Sequence, residues 1–257
     1  MEQYSIILRC DDAGSSKSAN SAIAQVAARG VARNVSLMAV TPYIADFASS
    51  LSSRKEVCFG LHITLCAEWD RVKWSPLLPC RSGSRGTHPL CGEDGFFFPN
   101  PERLAAASPP MEAIMAEVNA QLDFLTKLGF DIRYADSHMF PEECIEGLGG
   151  TLKEWTARKG LLWHMDYYPS EQPRCLSLPK EGGEIGDMFA RLEKGGRYVL
   201  ITHPAVYGEE MLLTGNSSVS GGEVAARRAA ELNILCGREF SDALERYSVR
   251  LVRYDEI

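Results

Sequence analysis

Two aspartates stand side by side in the stretch LRCDDAGSS (8–16), where an apolar run ends and a glycine follows. Asp and Gly are common in turns, so a solvated turn would by itself account for the pair. Adjacent carboxylates repel each other, however, and a bound divalent cation would relieve that repulsion. One of Asp11 and Asp12 would then bind the cation and the other would handle protons, while Gly14 lets the backbone turn close to the site.

Four of the five histidines stand at the carboxyl ends of predicted strands. They are His62, His138 (in the run Asp136–Ser137–His138), His164 and His203, whereas His88 lies in an irregular segment. In (β/α) barrels this end of the strands carries the active site. A single histidine at a strand end is more often structural. His164 has no other candidate ligand beside it in the sequence, and we interpret it as a pocket wall. Two imidazoles and one carboxylate suit a divalent metal and leave positions open for water and substrate.

The elements that must position these residues alternate along the chain. Strands are predicted at 4–10, 31–40, 56–65, 131–138, 160–166, 197–203 and 249–254, and helices at 18–30, 43–53, 111–129, 143–159, 184–194, 221–236 and 239–246. This alternation indicates βαβ units and a mainly parallel sheet. About seven strands in 257 residues favour an α/β fold built as one closed or nearly closed (β/α) barrel, with a doubly wound sheet as the alternative.

Residues 66–109 interrupt the alternation, because they hold several prolines and glycines and no sustained period. A loop of this length inside a compact domain usually has a function. It leaves the strand that ends at His62, so we expect it to cover the same barrel mouth and to form part of a substrate-binding wall. The chain 1–257 is thus predicted to be a single domain with an irregular insertion at about 66–109.

Composition excludes several classes of function. The net charge is −7 and the pI is near 5.4, so no basic surface is available for nucleic acid. No apolar run approaches the ~20 residues that cross a bilayer, and the first residues do not resemble a secretory leader. The cysteines form no C-x-x-C pair, and we expect reduced thiols in a cytoplasmic protein.

Four segments, CDDAGSSKSANSAI, GLHITL, DSHM and ITHPA, resemble in order the landmarks of the YdjC-like (ChbG/HpnK) carbohydrate deacetylase family. The tail RRAAELNIL…VRLVRY also resembles the family's end. The resemblance implies a distorted TIM-like barrel that removes acetyl groups from N-acetylated sugars. Two positions depart from the family pattern. Many members have Phe where Ala13 stands, and many have a further His where this chain has Met139 and Phe140.

The resemblance also implies roles for individual residues. Asp12 matches the carboxylate metal ligand, and His62 and His138 match the imidazole ligands. Asp11 matches the catalytic base and His203 the catalytic acid. Two imidazoles favour Zn²⁺ by ligand type, whereas the family also points to Mg²⁺.

The substrate expected on this basis is a small carbohydrate, and a homodimer is a compatible assembly. Trp69 and Trp74 in the irregular segment would either stack on sugar rings or pack against the barrel. Two other functions stay open. Metal-dependent sugar isomerases and phosphoesterases place similar residues on barrels, and a catalytically degenerate sugar-binding barrel would keep the fold alone.

Overall fold

The computed structural model describes residues 4–79, 88–168, 176–179, 183–193 and 196–257. Within these ranges, seven strands form one sheet in which every strand pair is parallel. The strands are β1 (Tyr4–Ala13), β2 (Asn34–Leu37), β3 (Cys58–Ile63), β4 (Ile132–Ser137), β5 (Leu162–Trp163), β6 (Arg197–Thr202) and β7 (Val249–Leu251).

The strand order is β5-β4-β3-β2-β1-β6, with β7 paired to β1. Strand β1 has three partners, because β6 pairs along one of its edges while β7 and then β2 pair along the other. The sheet curls into a partial barrel. This architecture confirms the predicted α/β fold and distorted barrel of about seven strands. The division into a single domain with an insertion stays a prediction.

Eight α-helices accompany the strands in the described ranges. They are α1 (Lys17–Ala28), α2 (Ile44–Leu51), α3 (Pro101–Ala106), α4 (Met111–Lys127), α5 (Leu148–Lys159), α6 (Ile185–Ala190), α7 (Gly221–Cys236) and α8 (Arg238–Arg246). Polar caps start two of the helices that later matter for the site. The Ser16 hydroxyl accepts from the Ala19 N–H at the start of α1, and a capping box of Ser220 and Glu223 starts α7.

Both faces of the sheet are covered, which makes its strands nearly continuous apolar runs in the sequence. On the outer face, Ile23 of α1 and Val118 of α4 belong to the same buried cluster as Leu8 and Leu61 of the sheet. Cys10 and Cys58 are buried free thiols in β1 and β3, as their strand positions predict. Among the helices of the described residues, none has both the length and the apolar character that crossing a bilayer requires.

The inner face of the barrel has an apolar floor. A separate buried cluster there consists of Ile7, Cys58, Tyr134, Val199, Val252 and Tyr254. Gly60 makes room for this floor, because a Cβ at Gly60 would lie 2.3 Å from the Tyr134 ring. Side chains alternate along a strand, so Arg9 and Asp11 follow Ile7 on the inner face, and Asp136 follows Tyr134. Buried charges therefore lie directly above the floor.

Some elements differ from the predicted ones. The strand predicted at 160–166 is only β5, because the chain turns into a 3-10 helix at His164–Tyr167 and carries His164 into the interior. The segment 66–109 contains a helix, α3, which begins after the N-cap Asn100 with Pro101 in its first turn. Residues 80–87 of that segment and residue 194 at the end of the helix predicted at 184–194 lie outside the described residues.

Candidate functional site

The two adjacent aspartates reach one site because β1 is irregular there. The pairing of β1 with β2 shifts register between Cys10 and Ala13, and Asp12 has a φ of 63°. A regular strand would send neighbouring side chains to opposite faces, and this bulge instead turns Asp12 inward beside Asp11. Strand β1 was predicted to end at residue 10, but it continues to Ala13. Gly14 follows with a φ of 96°, a conformation that favours glycine.

Asp12, His62 and His138 converge as predicted, and all three are buried. Asp12 Oδ1 lies 3.6 Å from His62 Nε2 and 3.6 Å from His138 Nδ1. The two ring nitrogens are 3.2 Å apart. Ligand atoms around a tetrahedral Zn²⁺ are about 3.3 Å apart, given metal–ligand distances of about 2.0–2.1 Å. The three atoms thus already form a triangle of the size that a metal ion requires.

The donor set fits a divalent cation for a second reason. Asp12 Oδ1 is buried and has no hydrogen-bond partner among the described residues. A buried, unpartnered carboxylate oxygen is costly, and a cation between it and the two imidazole nitrogens would satisfy it. The structure therefore supports a candidate metal site made of Asp12, His62 and His138.

A buried charge network holds His62 in place. Asp136 lies beside His62 in the register of β3 and β4, and its Oδ1 is 2.6 Å from His62 Nδ1. Asp136 Oδ2 accepts from Ser36 at 2.6 Å and lies 2.8 Å from an Arg9 nitrogen. Binding of Nδ1 to a carboxylate leaves Nε2 to face the candidate metal position.

Arg9 connects this network to Asp11. Its Nε and one terminal nitrogen donate to the two Asp11 oxygens at 2.6 and 2.7 Å, a bidentate pair. Asp11, His62 and Asp136 form a second group that could hold a metal, but the Arg9 guanidinium already contacts both of its carboxylates. Arg9 therefore supplies the positive charge there.

The charges of the network determine the protonation of His62. Burial alone would lower the pKa of His62, but the carboxylates of Asp136 and Asp11 outweigh it and raise the pKa to about 10. Asp136 is affected in the opposite sense. Burial would raise its pKa, yet Arg9 and His62 hold the pKa well below its usual range. Without a cation, His62 thus carries a proton that metal binding must displace.

Helix α7 holds the other side of the site. Arg228 places a guanidinium nitrogen 2.7 Å from Asp12 Oδ2, which leaves Oδ1 to face the imidazoles. Burial would raise the pKa of Asp12, but Arg228, followed by His62, holds the pKa well below its usual range. One turn later in α7, the Glu231 carboxylate accepts a short hydrogen bond from the backbone N–H of His203.

His203 follows β6 directly, as predicted. Thr202 pairs with Cys10 in the β1–β6 register, so the next residues, His203 and Asp11, start from neighbouring positions. His203 also contributes to the low pKa of Asp12. The structure thus brings all five predicted site residues to the same end of the barrel, while their roles stay predictions.

The described part of the segment 66–109 contacts the site. Glu68 Oε2 lies 2.9 Å from His138 Nε2, so both candidate imidazole ligands have a carboxylate on their second nitrogen. The Trp74 ring packs edge-on against the His138 ring with 5.8 Å between centroids. Trp69 and Trp74 are buried and belong to the core, which favours packing over open stacking platforms.

A cavity of about 260 Å³ opens beside Asp12. Its wall is formed by the start of α1, by the segment around the two tryptophans, by the 3-10 turn at Met211–Leu213 and by Arg228. The lining residues are Asp12, Ser15, Ser16, Pro42, Tyr43, Trp69, Arg71, Val72, Lys73, Trp74, Glu210, Met211, Leu213, Thr214 and Arg228. The wall combines seven apolar or aromatic side chains with eight polar or charged ones, and a concave site of this kind can bind a small molecule.

Comparison with known proteins adds the family. The sequence profile of the YdjC-like protein family matches residues 5–166. The chain belongs to the YdjC-like family. Residues 5–166 include four of the five predicted site residues, and His203 lies beyond them.

Two individual proteins are similar to this YdjC-like chain. A carbohydrate deacetylase from Thermoanaerobacter pseudethanolicus is 30% identical over 138 residues, which are 52% of this chain and 49% of the relative. The chain thus spans about half the length of this curated relative. The crystal structure of a candidate cellobiose-phosphate cleavage protein from Enterococcus faecalis V583 matches with a TM-score of 0.78. That match covers 99% of this chain and 98% of the other at 19% identity, and it shows the shared fold.

The departure at Met139 and Phe140 has a structural consequence in this YdjC-like chain. Both residues are left-handed, with φ of 62° and 53°, and together they turn the chain out of β4. The Phe140 ring packs 5.9 Å from the His164 ring. His164 is fully buried between Glu142 and Tyr168, and burial lowers its pKa. It is not among the residues that line the cavity beside Asp12, and its interpretation as a pocket wall stays a prediction.

Sequence reasoning gave no role to four residues that position the predicted ones: Arg9, Glu68, Asp136 and Arg228. Arg9 and Asp136 carried a signal, because both lie on the same strand face as Asp11 and His138 and are charged within apolar runs. Glu68 and Arg228 carried none, since an irregular segment and a helix surface are ordinary places for charged residues.

Proposed function

We propose that this chain is a metal-dependent hydrolase that removes the acetyl group from an N-acetylated sugar or oligosaccharide. The observation that carries the proposal is the triangle of Asp12, His62 and His138 with its unpartnered carboxylate oxygen, beside Asp11 and a cavity of about 260 Å³. Membership in the YdjC-like family and a relative named carbohydrate deacetylase support it.

Asp12, His62 and His138 would hold one divalent ion, Zn²⁺ or Mg²⁺. The ion would supply Lewis acidity, which polarises the acetamide carbonyl and makes water more acidic. The two imidazoles favour Zn²⁺ by ligand type, whereas the resemblance to the family also points to Mg²⁺.

Asp11 accepts the proton that the attacking water loses. The water oxygen bonds to the acyl carbon, and the bond from that carbon to nitrogen breaks. Arg9 holds both Asp11 oxygens, yet each ionised oxygen keeps a further lone pair to accept a proton. The bidentate contact thus fixes the orientation of the Asp11 carboxylate, which can still accept a proton.

His203 donates a proton to the departing nitrogen, so that the products are acetate and an amino sugar. The N–H of His203 is held by Glu231 of α7, which fixes the backbone from which the imidazole projects. Trp69 and residues 71–74 line one side of the cavity, and we include the segment 66–109 in the substrate-binding wall. A cytoplasmic location is part of the proposal.

The test is acetate release from a panel of N-acetylated sugars, with and without a chelator. We expect acetate from at least one member of the panel, loss of activity on chelation, and recovery with Zn²⁺ or Mg²⁺. Acetate release that persists after complete metal removal would contradict the metal dependence. Binding without acetate release across the panel would favour the degenerate sugar-binding barrel, and turnover of sugar phosphates or ketoses would favour the other enzyme classes.

A further inference from the structure

Three unpartnered polar atoms belong to residues on the wall of one cavity. Five buried side-chain atoms in the described part of the chain lack a hydrogen-bond partner, and Asp12 Oδ1, Trp74 Nε1 and Arg228 Nε are among them. All three residues line the cavity of about 260 Å³. Buried polar atoms without partners are rare in folded proteins, so this concentration indicates a place that a ligand completes.

The chemistry of the three atoms divides them. Asp12 Oδ1 is an acceptor, and the candidate cation would satisfy it. The indole N–H of Trp74 and the Nε–H of Arg228 can only donate. A ligand that completes both residues therefore presents acceptor oxygens to them.

Both donors lie next to candidate metal ligands. Another nitrogen of Arg228 is 2.7 Å from Asp12 Oδ2, and the Trp74 ring contacts the His138 ring. An oxygen that reaches these donors is therefore close to the position where the acyl carbon would react. The positive charge of Arg228 favours an oxygen that carries negative charge.

The remaining wall suits an acetyl group. Trp69 and Met211 are buried apolar side chains on the cavity, and they offer a surface to a methyl group. Glu210 also lines the cavity, and its negative charge would repel an acyl oxygen. Its Oε2, however, accepts a hydrogen bond from the backbone N–H of Ser18 at 3.0 Å.

We propose that Trp74 and Arg228 bind the oxygen atoms of the acyl group, and therefore also bind the acetate product. The inference rests on the proposed deacetylation and goes further, because it assigns two substrate-binding residues that the sequence did not indicate as donors. In hydrolysis the carbonyl oxygen gains negative charge as water adds. The two donors are placed to stabilise that charge.

The test uses acetate as the probe on the full chain loaded with Zn²⁺, followed by ¹⁵N–¹H spectra of the tryptophan indoles. Trp74→Phe keeps the ring and removes the donor, and Arg228→Lys keeps the charge beside Asp12 and removes Nε–H. Trp155→Phe is the control, because its indole N–H already donates to Asn119 at 3.1 Å and Trp155 does not line the cavity.

We expect acetate to shift one indole resonance, the one that disappears in Trp74→Phe. The acetate Kd should rise about threefold to tenfold in Trp74→Phe, and about tenfold to a hundredfold in Arg228→Lys because the contact involves a charged group. Trp155→Phe should bind acetate like the wild type. Metal content per chain should be equal in all variants.

Unchanged acetate affinity in Trp74→Phe, or an acetate titration that shifts no indole resonance, would overturn the proposal. If Arg228→Lys misfolds or loses metal, Trp74→Phe decides the question alone. The sugar panel separates this failure from a failure of the proposed function. Acetate release together with normal acetate binding by Trp74→Phe would reject only the assignment of the donors.

Discussion

Replacement of Asp136 by Asn should weaken metal binding although Asp136 is not itself a predicted ligand. Its Oδ1 lies 2.6 Å from His62 Nδ1. Burial alone would lower the pKa of His62, and the charge of Asp136 is the main reason why this pKa instead rises to about 10. An amide keeps the size but loses the charge that orients the ring and makes Nε2 a strong donor. Loss of such a partner typically costs about 10- to 100-fold in metal affinity, or about 1.4–2.7 kcal/mol.

The variant also lowers the pKa of His62 and therefore the competition from the proton. Metal affinity is for this reason measured over a range of pH by competition with a chromophoric chelator, and the affinities corrected for proton competition are compared. Asp131→Asn is the control, because Asp131 precedes the same strand, its side chain is 83% exposed, and its ion pair with Arg133 is 3.8 Å long. The control should bind metal like the wild type. Equal affinity of Asp136→Asn and wild type, with both proteins folded, would refute the account of how His62 is oriented.

Three further outcomes follow from the same structure. Asp11→Asn should keep one metal per chain but release acetate about 100- to 10,000-fold more slowly, as elemental analysis and an acetate assay would show; equal loss of metal in this variant and in Asp12→Asn would mean two carboxylate ligands. The cation must displace a proton from His62, whose pKa is about 10 in the cation-free site. Metal affinity should therefore rise about tenfold for each pH unit up to that value, and an affinity that calorimetry finds independent of pH would contradict this. Gly60→Ala should lower the melting temperature, since its Cβ would lie 2.3 Å from the Tyr134 ring and overpacking costs about 1–3 kcal/mol, whereas Gly150→Ala, with nothing within 4 Å of its Cβ, should not.

The repeating elements could be predicted because their signals are local. A helix was predicted at 221–236, and α7 spans Gly221–Cys236. The sheet was predictable because strands covered on both faces read as apolar runs. The positions of His62, His138 and His203 followed from the same reasoning, since the carboxyl ends of parallel strands share one end of the barrel.

The interactions that hold these residues could not be predicted, because they join distant parts of the chain. Glu68 contacts a histidine 70 positions later, and no local pattern identifies that pair. The left-handed φ of 63° at Asp12 could not be predicted either, since an aspartate at this place in the sequence would also fit an ordinary turn. The helix α3 was missed because six residues, Pro101–Ala106, are too few to show a helical period.

The central claim is that one divalent cation binds between Asp12, His62 and His138. Anomalous scattering from a crystal of the zinc-loaded protein tests it most directly. We expect one peak per chain at about 2.0–2.2 Å from Asp12 Oδ1, His62 Nε2 and His138 Nδ1. A peak between Asp11 and Asp136 instead, or no peak in protein that elemental analysis shows to be loaded, would contradict the account.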